Sequence, residues 1–380
     1  MAEHDISFSN SLTKDAGSYK LLELPSELCA LVESSSSPLR RVPTAKRRVA
    51  LMNAFRFSIK GQQSEEAVMC APDDTTYILR SVLLSNTLLV VTADEHNDTA
   101  VVVRDQLTEV LELTPTLPKL EKLDALLRGL EYDDVADSGE AELEPGLSYQ
   151  NALTLIQASD GQLARALKAR RILDIRGALR PIASSYLTTI LEMILNNIVA
   201  QGLNPQAIPA AELSATLADE NEISIPVSGQ VMAWFGEIST DGLWCLDVAS
   251  AVREIGLGLL RPHIHDPITK EDLLRRWKVA VGDTFETSVA LDLLLGNYLE
   301  TSATGLFDRG ETLTYYPSSA LPVDPMSRFA ALFLTRPRWK AQDLFPFLSD
   351  IALNSKERDK LILKYTRSTT DAGKIYYTKR

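Results

Sequence analysis

The chain has 380 residues, 45% of them hydrophobic and 24% charged, and a formal net charge of −12. That length exceeds what one core usually serves and points to several domains of roughly 100–200 residues or less, while the composition excludes a disordered or fibrous chain. The acid excess excludes wholesale wrapping of nucleic acid, which runs on Lys and Arg displacing counterions from phosphates, so any such contact has to be local.

Met1-Ala2-Glu3-His4-Asp5 places acids where a signal peptide needs bases and an apolar core, so secretion is not expected. Residues 19–24 read as a strand, followed by Pro25 and a short helix capped by Ser26. Cys29, Cys70 and Cys245 lie far apart and are odd in number, which argues for a reducing compartment and against a disulfide framework or a CxxC metal pair. After a polar break at 34–37, residues 38–60 hold Arg40, Arg41, Lys46, Arg47, Arg48, Arg56 and Lys60 with no acid. Such a block reads as a solvated loop or as an import or phosphate patch. Residues 67–70, 75–80 and 87–92 are β-rich runs, with 101–104 as a fourth, separated by Pro72-Asp73-Asp74 and His96-Asn97-Asp98. Their spacing predicts a small antiparallel sheet or barrel. So few strands do not close by themselves, and an uncovered edge invites a partner chain. Residues 117–130 return to helical spacing, and 131–144 hold seven acids and no base, the composition of a linker.

From residue 147 helical spacing dominates. Helices are expected over 149–158, 160–171 and 184–201, with a strand over 172–175 continuing toward Pro181. The most apolar stretch, 186–203, carries Glu192, Asn196 and Asn197 on one side and is a half-buried helix rather than a membrane span. Residues 226–260 read as helical with a break at Asp241-Gly242. Beyond Asp266-Pro267, Thr269 is placed to cap a helix reciprocally with Asp272, and Leu273, Leu274, Trp277 and Val281 form its buried side. A helix over 287–299 and a hairpin turning at Asp308-Arg309-Gly310, with 312–316 as return strand, follow. Two short helices under a hairpin make the winged-helix arrangement. The last unit opens on Asp324-Pro325, an N-cap acid and an N1 proline, with helices over 326–334, 340–348 and 355–366 and a strand over 374–380.

Chemistry has little to start from. No phosphate loop of the Gly-x-x-x-x-Gly-Lys-Ser/Thr type occurs, and Gly256-Leu257-Gly258 lacks the third glycine of a dinucleotide fingerprint. His263-Ile264-His265-Asp266, between two prolines, is incomplete for zinc and reads as a polar turn. With four histidines and no nucleophile elbow, neither an enzyme nor a cofactor or metal site is expected. Trp234, Trp244, Trp277 and Trp339 sit in apolar periodic segments, as core rather than as base-stacking platforms.

Several ordered segments carry a resemblance. They are Ser18-Tyr19-Lys20-Leu21-Leu22-Glu23-Leu24, Val68-Met69-Cys70, residues 76–80 with Ser85-Asn86-Thr87-Leu88-Leu89, Leu274-Arg275-Arg276-Trp277-Lys278, Leu321-Pro322-Val323-Asp324-Pro325-Met326-Ser327-Arg328-Phe329, Arg338-Trp339-Lys340 with Asp343-Leu344, and Ile362-Leu363-Lys364-Tyr365-Thr366-Arg367. In their order the chain resembles the "defective in sister chromatid cohesion" protein family, a subunit of the alternative replication factor C clamp loader of the chromosome-transmission-fidelity type. Residues 38–60 and the acidic stretch match nothing in that pattern. The resemblance implies a nuclear protein, off the membrane, whose N-terminal domain shares a β-barrel body with a small partner subunit and the C-terminal tail of the large clamp-loader subunit. It also implies winged helices that contact DNA and the catalytic subunit of DNA polymerase epsilon, and an indirect link to the sliding clamp.

The expected fold is therefore α+β: an N-terminal antiparallel β-barrel-like pairing domain over 1–130, an acidic linker over 131–147, and tandem winged-helix domains over 148–262, 263–323 and 324–380. The expected function is that of a non-catalytic adaptor linking the clamp loader to DNA polymerase epsilon and DNA, in support of sliding-clamp loading and sister chromatid cohesion. Winged-helix subunits of membrane-trafficking or transcription complexes are the alternative, since fold does not fix function. The binding residues are expected at the C-terminus, where 355–380 hold eight bases against three acids. On a helix capped by Asn354, Lys356, Lys360, Lys364 and Arg367 fall within roughly 80° of arc, opposite Leu361, Ile362 and Tyr365. Lys374, Tyr376, Thr378 and Arg380 share one face of the strand that follows. Lys356, Lys360, Lys364, Arg367, Lys374 and Arg380 are the candidate contacts for DNA or the polymerase.

Overall fold

The structure, a computed structural model, describes residues 5–8, 19–34, 57–93, 100–137, 146–302, 310–371 and 373–380. It is a mixed α+β fold in two compact units, Met1–Asp124 with Gln150–Ala166, and Ala125–Tyr149 with Leu167–Arg380.

The first unit carries β1 (Asp5–Phe8), β2 (Leu21–Glu23), β3 (Ser58–Lys60), β4 (Val68–Cys70), β5 (Thr76–Ala93) and β6 (Ala100–Thr116) in one sheet of order β1-β6-β5-β4-β3, with β2 also on β6. Two expectations are corrected here. The runs 75–80 and 87–92 are one strand, because register shifts between Leu83 and Leu88 and between Val90 and Val91 absorb the polar Ser85-Asn86 stretch that looks like a turn. The sheet is open and not closed into a barrel: β4 reaches only Thr76, Tyr77 and Ile78 of β5. The turn at 96–98 lies outside the described residues.

Helix Ser26–Ser34 delivers Leu28 into a small core with Met69, Ala71, Tyr77 and Leu113. Side chains near 150–166 are tied to the same unit. Lys60 Nζ donates to the carbonyls of Leu153 (2.6 Å) and Ala158 (2.5 Å), and burial holds its pKa below the usual lysine value. Asp74 accepts from the Ser159 hydroxyl (2.8 Å) and Arg165 (2.9 Å). Lys60 is thus spent on internal carbonyls rather than on a phosphate patch; residues 38–56 of the basic block lie outside the described residues.

The second unit has two apolar cores. The larger gathers helices Ser184–Ala200, Ala210–Asn221, Ile225–Trp234, Val248–Leu260 and Lys270–Val281, with Ile190, Leu191, Ile194, Leu217, Val231, Ile255 and Trp277 fully or almost fully buried. The apolar helix at 184–200 buries one side as its spacing predicts; on the other, desolvation pushes the half-buried Glu192 carboxyl up. Thr269 caps Lys270–Val281, its Oγ1 accepting from Asp272 N (3.2 Å) and donating to the Asp272 carboxylate (3.0 Å), so the cap forms but the carboxylate meets the threonine hydroxyl instead of its N–H. Gly256 faces the Trp277 indole so closely that a Cβ would lie 2.4 Å from the ring, and one on Gly258 would lie 2.3 Å from Thr188 Oγ1. These glycines serve helix packing, not a nucleotide.

A hairpin of β7 (Ile172–Ile175) and β8 (Ala178–Pro181) turns on Arg176 and Gly177, both at positive φ. Three three-stranded sheets follow: β9 (Ile208–Pro209), β10 (Gly236–Ile238) and β11 (Leu243–Leu246) in the order β10-β11-β9; β12 (Ile268–Thr269), β13 (Tyr298–Ser302) and β14 (Glu311–Tyr315) in the order β12-β14-β13; and β15 (Arg338–Lys340), β16 (Thr366–Asp371) and β17 (Lys374–Lys379) in the order β15-β17-β16. Within 226–260 a whole hairpin, β10 and β11, separates two helices, with Gly242 at φ 77° beside its turn. The helix expected over 287–299 is instead two 3-10 turns, Glu286–Ser288 and Leu291–Leu294, running into β13. Pro346 splits 340–348 into helix Ala341–Leu344 and a 3-10 turn Phe345–Leu348. The hairpin tip Asp308-Arg309 lies outside the described residues.

The acid run expected as linker is, in its described part, built into this unit. Tyr132 bridges to Ile182, and helix Asp134–Asp137 brings the Asp137 carboxylate to the Tyr132 hydroxyl (3.0 Å), the Tyr186 hydroxyl (2.6 Å) and Ser224 N (3.0 Å). Burial and the neighbouring carboxylate push both phenols well above the ordinary tyrosine value. Residues 138–145 lie outside the described residues.

The second core packs helices Pro325–Thr335 and Ser355–Tyr365 with β15–β17 around Phe329, Leu332, Trp339, Leu344, Phe347 and Ile362. Its charged centre is Arg328, 1% exposed, which pairs with Asp350 and donates to the carbonyls of Pro322 (2.7 Å), Phe347 (2.8 Å), Leu321 (3.1 Å) and Ser318 (3.3 Å). All five acceptors are internal. It is a buried charge fully provided with partners.

Candidate interaction surfaces

In the first unit β6 is bordered by β5 on one side and by β1 and β2 on the other, facing residues 100–103 and 110–112. β5 is bordered by β6 alone beyond Leu79, whose N–H still donates to Ala67 O (3.0 Å): among the described residues no strand pairs with its outer side from Arg80 to Ala93. Cross-strand apolar pairs show the direction of exposure. In Val82–Val110, Leu88–Leu107 and Val91–Val103 the β6 member is 4–9% exposed, while the β5 member is 36–48% exposed. Leu83, at 81%, and Leu89 add to the bare side. Alternating apolar residues on an edge with free N–H and C=O groups form a template for another strand.

At the C-terminus, Asn354 caps helix Ser355–Tyr365 by accepting from Glu357 N (3.0 Å), and the Glu357 carboxylate accepts from Leu353 N (3.1 Å). Ile362 is buried and Leu361 and Tyr365 pack against the core, so Lys356, Lys360 and Lys364 are left exposed along one stripe. Arg367 does not continue that stripe. The helix ends at Tyr365 and β16 begins at Thr366, so the direction of Arg367 is set by the sheet.

Register assigns the sheet faces. Trp339 and Tyr377 are opposite each other, Trp339 is buried and Tyr377 packs on the core, so this row points inward. The alternate rows point outward: Arg338 and Arg367 flank Thr378, Lys340 and Thr369 flank Tyr376, and Lys374 faces Asp371. Arg380 follows with the same parity; its N–H bonds Tyr365 O and its guanidinium donates to Leu363 O (3.0 Å). The Arg338 guanidinium lies 3.9 Å from the Tyr376 ring centroid and reaches Asp371 (2.9 Å). Arg338 and Lys340 were not among the expected contacts; the base-Trp-base alternation of 338–340 is the signal that marks them.

Of the expected six, the structure brings Arg367 and Lys374 onto the sheet face, with Arg380 at its end, and places Lys356, Lys360 and Lys364 on the helix, where Lys364 contributes to holding Asp324 below the usual carboxylate range behind the larger effect of the Ser327 N–H. Trp244, Trp277 and Trp339 are fully buried and Trp234 is 9% exposed. His263 Nδ1 lies 2.8 Å from the Asp266 carbonyl within its turn. No helix among the described residues is long and apolar enough to cross a membrane.

Fold and surfaces together define a two-unit α+β protein distinguished by a bare strand edge and a cationic sheet face. The family model of the sister chromatid cohesion protein Dcc1 matches residues 19–348, and the chain belongs to that family. It is 26% identical over 392 residues to the sister chromatid cohesion protein DCC1 of Xenopus tropicalis, covering 99% of this chain and 93% of that one. The human protein of that name is 24% identical, over 96% of this chain and 89% of its own, and the Saccharomyces cerevisiae one 21%, over 96% and 97%. The matched span of the family model ends before the basic C-terminal segment.

Proposed function

We propose that the chain is a non-catalytic adaptor subunit of an alternative replication factor C clamp loader, acting in the nucleus in support of sliding-clamp loading and sister chromatid cohesion. The apolar edge of β5 carries this reading, because a strand that no described residue pairs along Arg80–Ala93 is a liability unless another chain covers it. On this reading a small partner subunit and the C-terminal tail of the large clamp-loader subunit complete the sheet into a shared barrel. Each three-stranded sheet of the second unit, with the helices before it, is a winged helix, and the last presents its bases to DNA polymerase epsilon or to DNA. No cofactor is required.

Co-expression of the full chain with the candidate subunits tests it. The wild-type chain should co-purify with both, and Leu83→Lys with Leu89→Lys, which set charges on the open edge, should abolish co-purification while the chain stays folded. Wild-type chain that captures neither subunit, or captures trafficking or transcription proteins from nuclear extract instead, would overturn the proposal.

A further inference from the structure

Residues 181–252 contain eight acids and no Lys, Arg or His, although the whole chain has 39 Lys and Arg. The first long helices of the second unit therefore carry charge of one sign. Helix Ala210–Asn221 sharpens the imbalance: its last turn has no base, and Asp219, Glu220 and Glu222 stand at the end where the helix dipole is already negative. A cation is what that end lacks.

A cleft of about 480 Å³ opens where this turn meets helices Asp134–Asp137 and Ser184–Ala200. Its volume is in the range of small-ligand sites, roughly 300–1,000 Å³. Met193 and the buried Ile223 give it an apolar part. The exposed Asp134 and Glu222 also line it, and neither carboxylate has an ion-pair or hydrogen-bond partner among the described residues. The other polar groups of the lining are left as acceptors. The Thr189 hydroxyl donates its proton to Ser185 O (3.1 Å), the Tyr186 hydroxyl donates its own to the Asp137 carboxylate (2.6 Å), and Asn221 Oδ1, closed off from solvent, has no partner among the described residues.

A guanidinium is the complement of such a lining. It has five N–H donors, no acceptor and a permanent positive charge, on a methylene stem that an apolar floor receives. A phosphate or carboxylate would face two acids, and an apolar side chain would leave the acceptors unmet. We propose that this cleft is a docking site for an arginine side chain presented by a partner protein, with Asp134 and Glu222 pairing with the guanidinium and Met193 and Ile223 packing against the stem. The site draws on no residue of the β5 edge or of the C-terminal basic segment, so it stands or falls independently of the adaptor reading.

The test is methyl NMR of the full chain, observing Met193 and Ile223 during titration with the blocked tripeptide Leu-Arg-Leu. Both signals should shift to saturation, and the same peptide with citrulline in place of arginine, which keeps the shape and loses the charge, should bind at least roughly tenfold more weakly. Asp134→Asn with Glu222→Gln should weaken binding of the arginine peptide by roughly tenfold or more. Glu237→Gln with Asp241→Asn, which removes two exposed acids of the same base-free stretch outside the cleft, should leave affinity within about twofold. Unshifted Met193 and Ile223 signals, equal binding of the citrulline peptide, equal losses in the two double variants, or spermidine binding as tightly as the arginine peptide would each overturn the assignment. Methyl signals of the C-terminal core, read in the same spectra, separate an unfolded variant from a lost contact.

Discussion

Replacing Arg328 with Met should unfold the C-terminal part of the second unit at a cost of about 3–5 kcal/mol. The side chain fits the volume, but it donates nothing. The carbonyls of Leu321 and Phe347, bonded to Arg328 in fully buried geometry, would lose their donor, at about 1–3 kcal/mol each. The carbonyls of Pro322 and Ser318 lose theirs too, with partial access to water. Asp350 is 42% exposed and can be rehydrated when Arg328 is replaced, whereas Asp350→Asn keeps the carbonyl contacts of Arg328 but takes the counter-charge from a buried guanidinium, and should cost about 1.5–3 kcal/mol, less than Arg328→Met. The two substitutions therefore separate the carbonyl cradle from the ion pair. Urea unfolding of the full chain, combined with hydrogen exchange in helix Pro325–Thr335, measures both. A loss below about 1 kcal/mol for Arg328→Met, or equal losses for the two variants, would refute the view of Arg328 as the organiser of this core.

Gly256→Ala should destabilise by about 1–3 kcal/mol, since its Cβ would meet the Trp277 ring at 2.4 Å and that indole is anchored by its N–H to Val252 O (2.8 Å), whereas Gly229→Ala, with nothing within 4 Å, should stabilise by about 0.5–1 kcal/mol. Thermal melts that fail to show opposite signs would contradict the packing role of Gly256. In the first unit Asp74, Asp105 and Glu109 are held below their usual carboxylate range, chiefly by the Ser159 hydroxyl, the Tyr19 N–H and Lys20 respectively. Their folded pKa values lie below the unfolded ones, so as pH falls through the unfolded values near 4 the unfolded chain takes up protons first. Stability of this unit should be full at pH 6–7 and decline from about pH 5 downward; a melting temperature that rises on acidification would reverse the sign.

The elements that sequence reasoning found are those whose signals are local. Asp324-Pro325, Thr269 with Asp272, and Asn354 with Glu357 each declare a helix start through a cap that the structure contains. The misses have tertiary causes. Residues 366–371 follow the helix with no Gly or Pro between, and their strand exists because β17 pairs along it. Residues 291–294 carry a helical pattern but shorten to a 3-10 turn to deliver Leu294 to the core and release Tyr298 into β13. Composition marks 131–137 as linker because a count of acids does not show that Asp137 meets two tyrosine hydroxyls and Ser224 N. At the candidate patch, the lysine stripe was legible from helical spacing, whereas Arg338 and Lys340 fell on the sheet face of Arg367 and Lys374 only once register placed β15 beside β17.

Hydrogen exchange of the full chain, alone and co-purified with the candidate small subunit and the tail of the large clamp-loader subunit, tests the adaptor account most directly. A partner strand along β5 has to engage the amides that β6 leaves free. The outward-directed amides within Arg80–Ala93 should exchange rapidly in the isolated chain and slow by at least a hundredfold in the complex, while β6 and the second-unit cores change little. Amides of β5 already protected in the isolated chain, or protection in the complex confined to other elements, would contradict it.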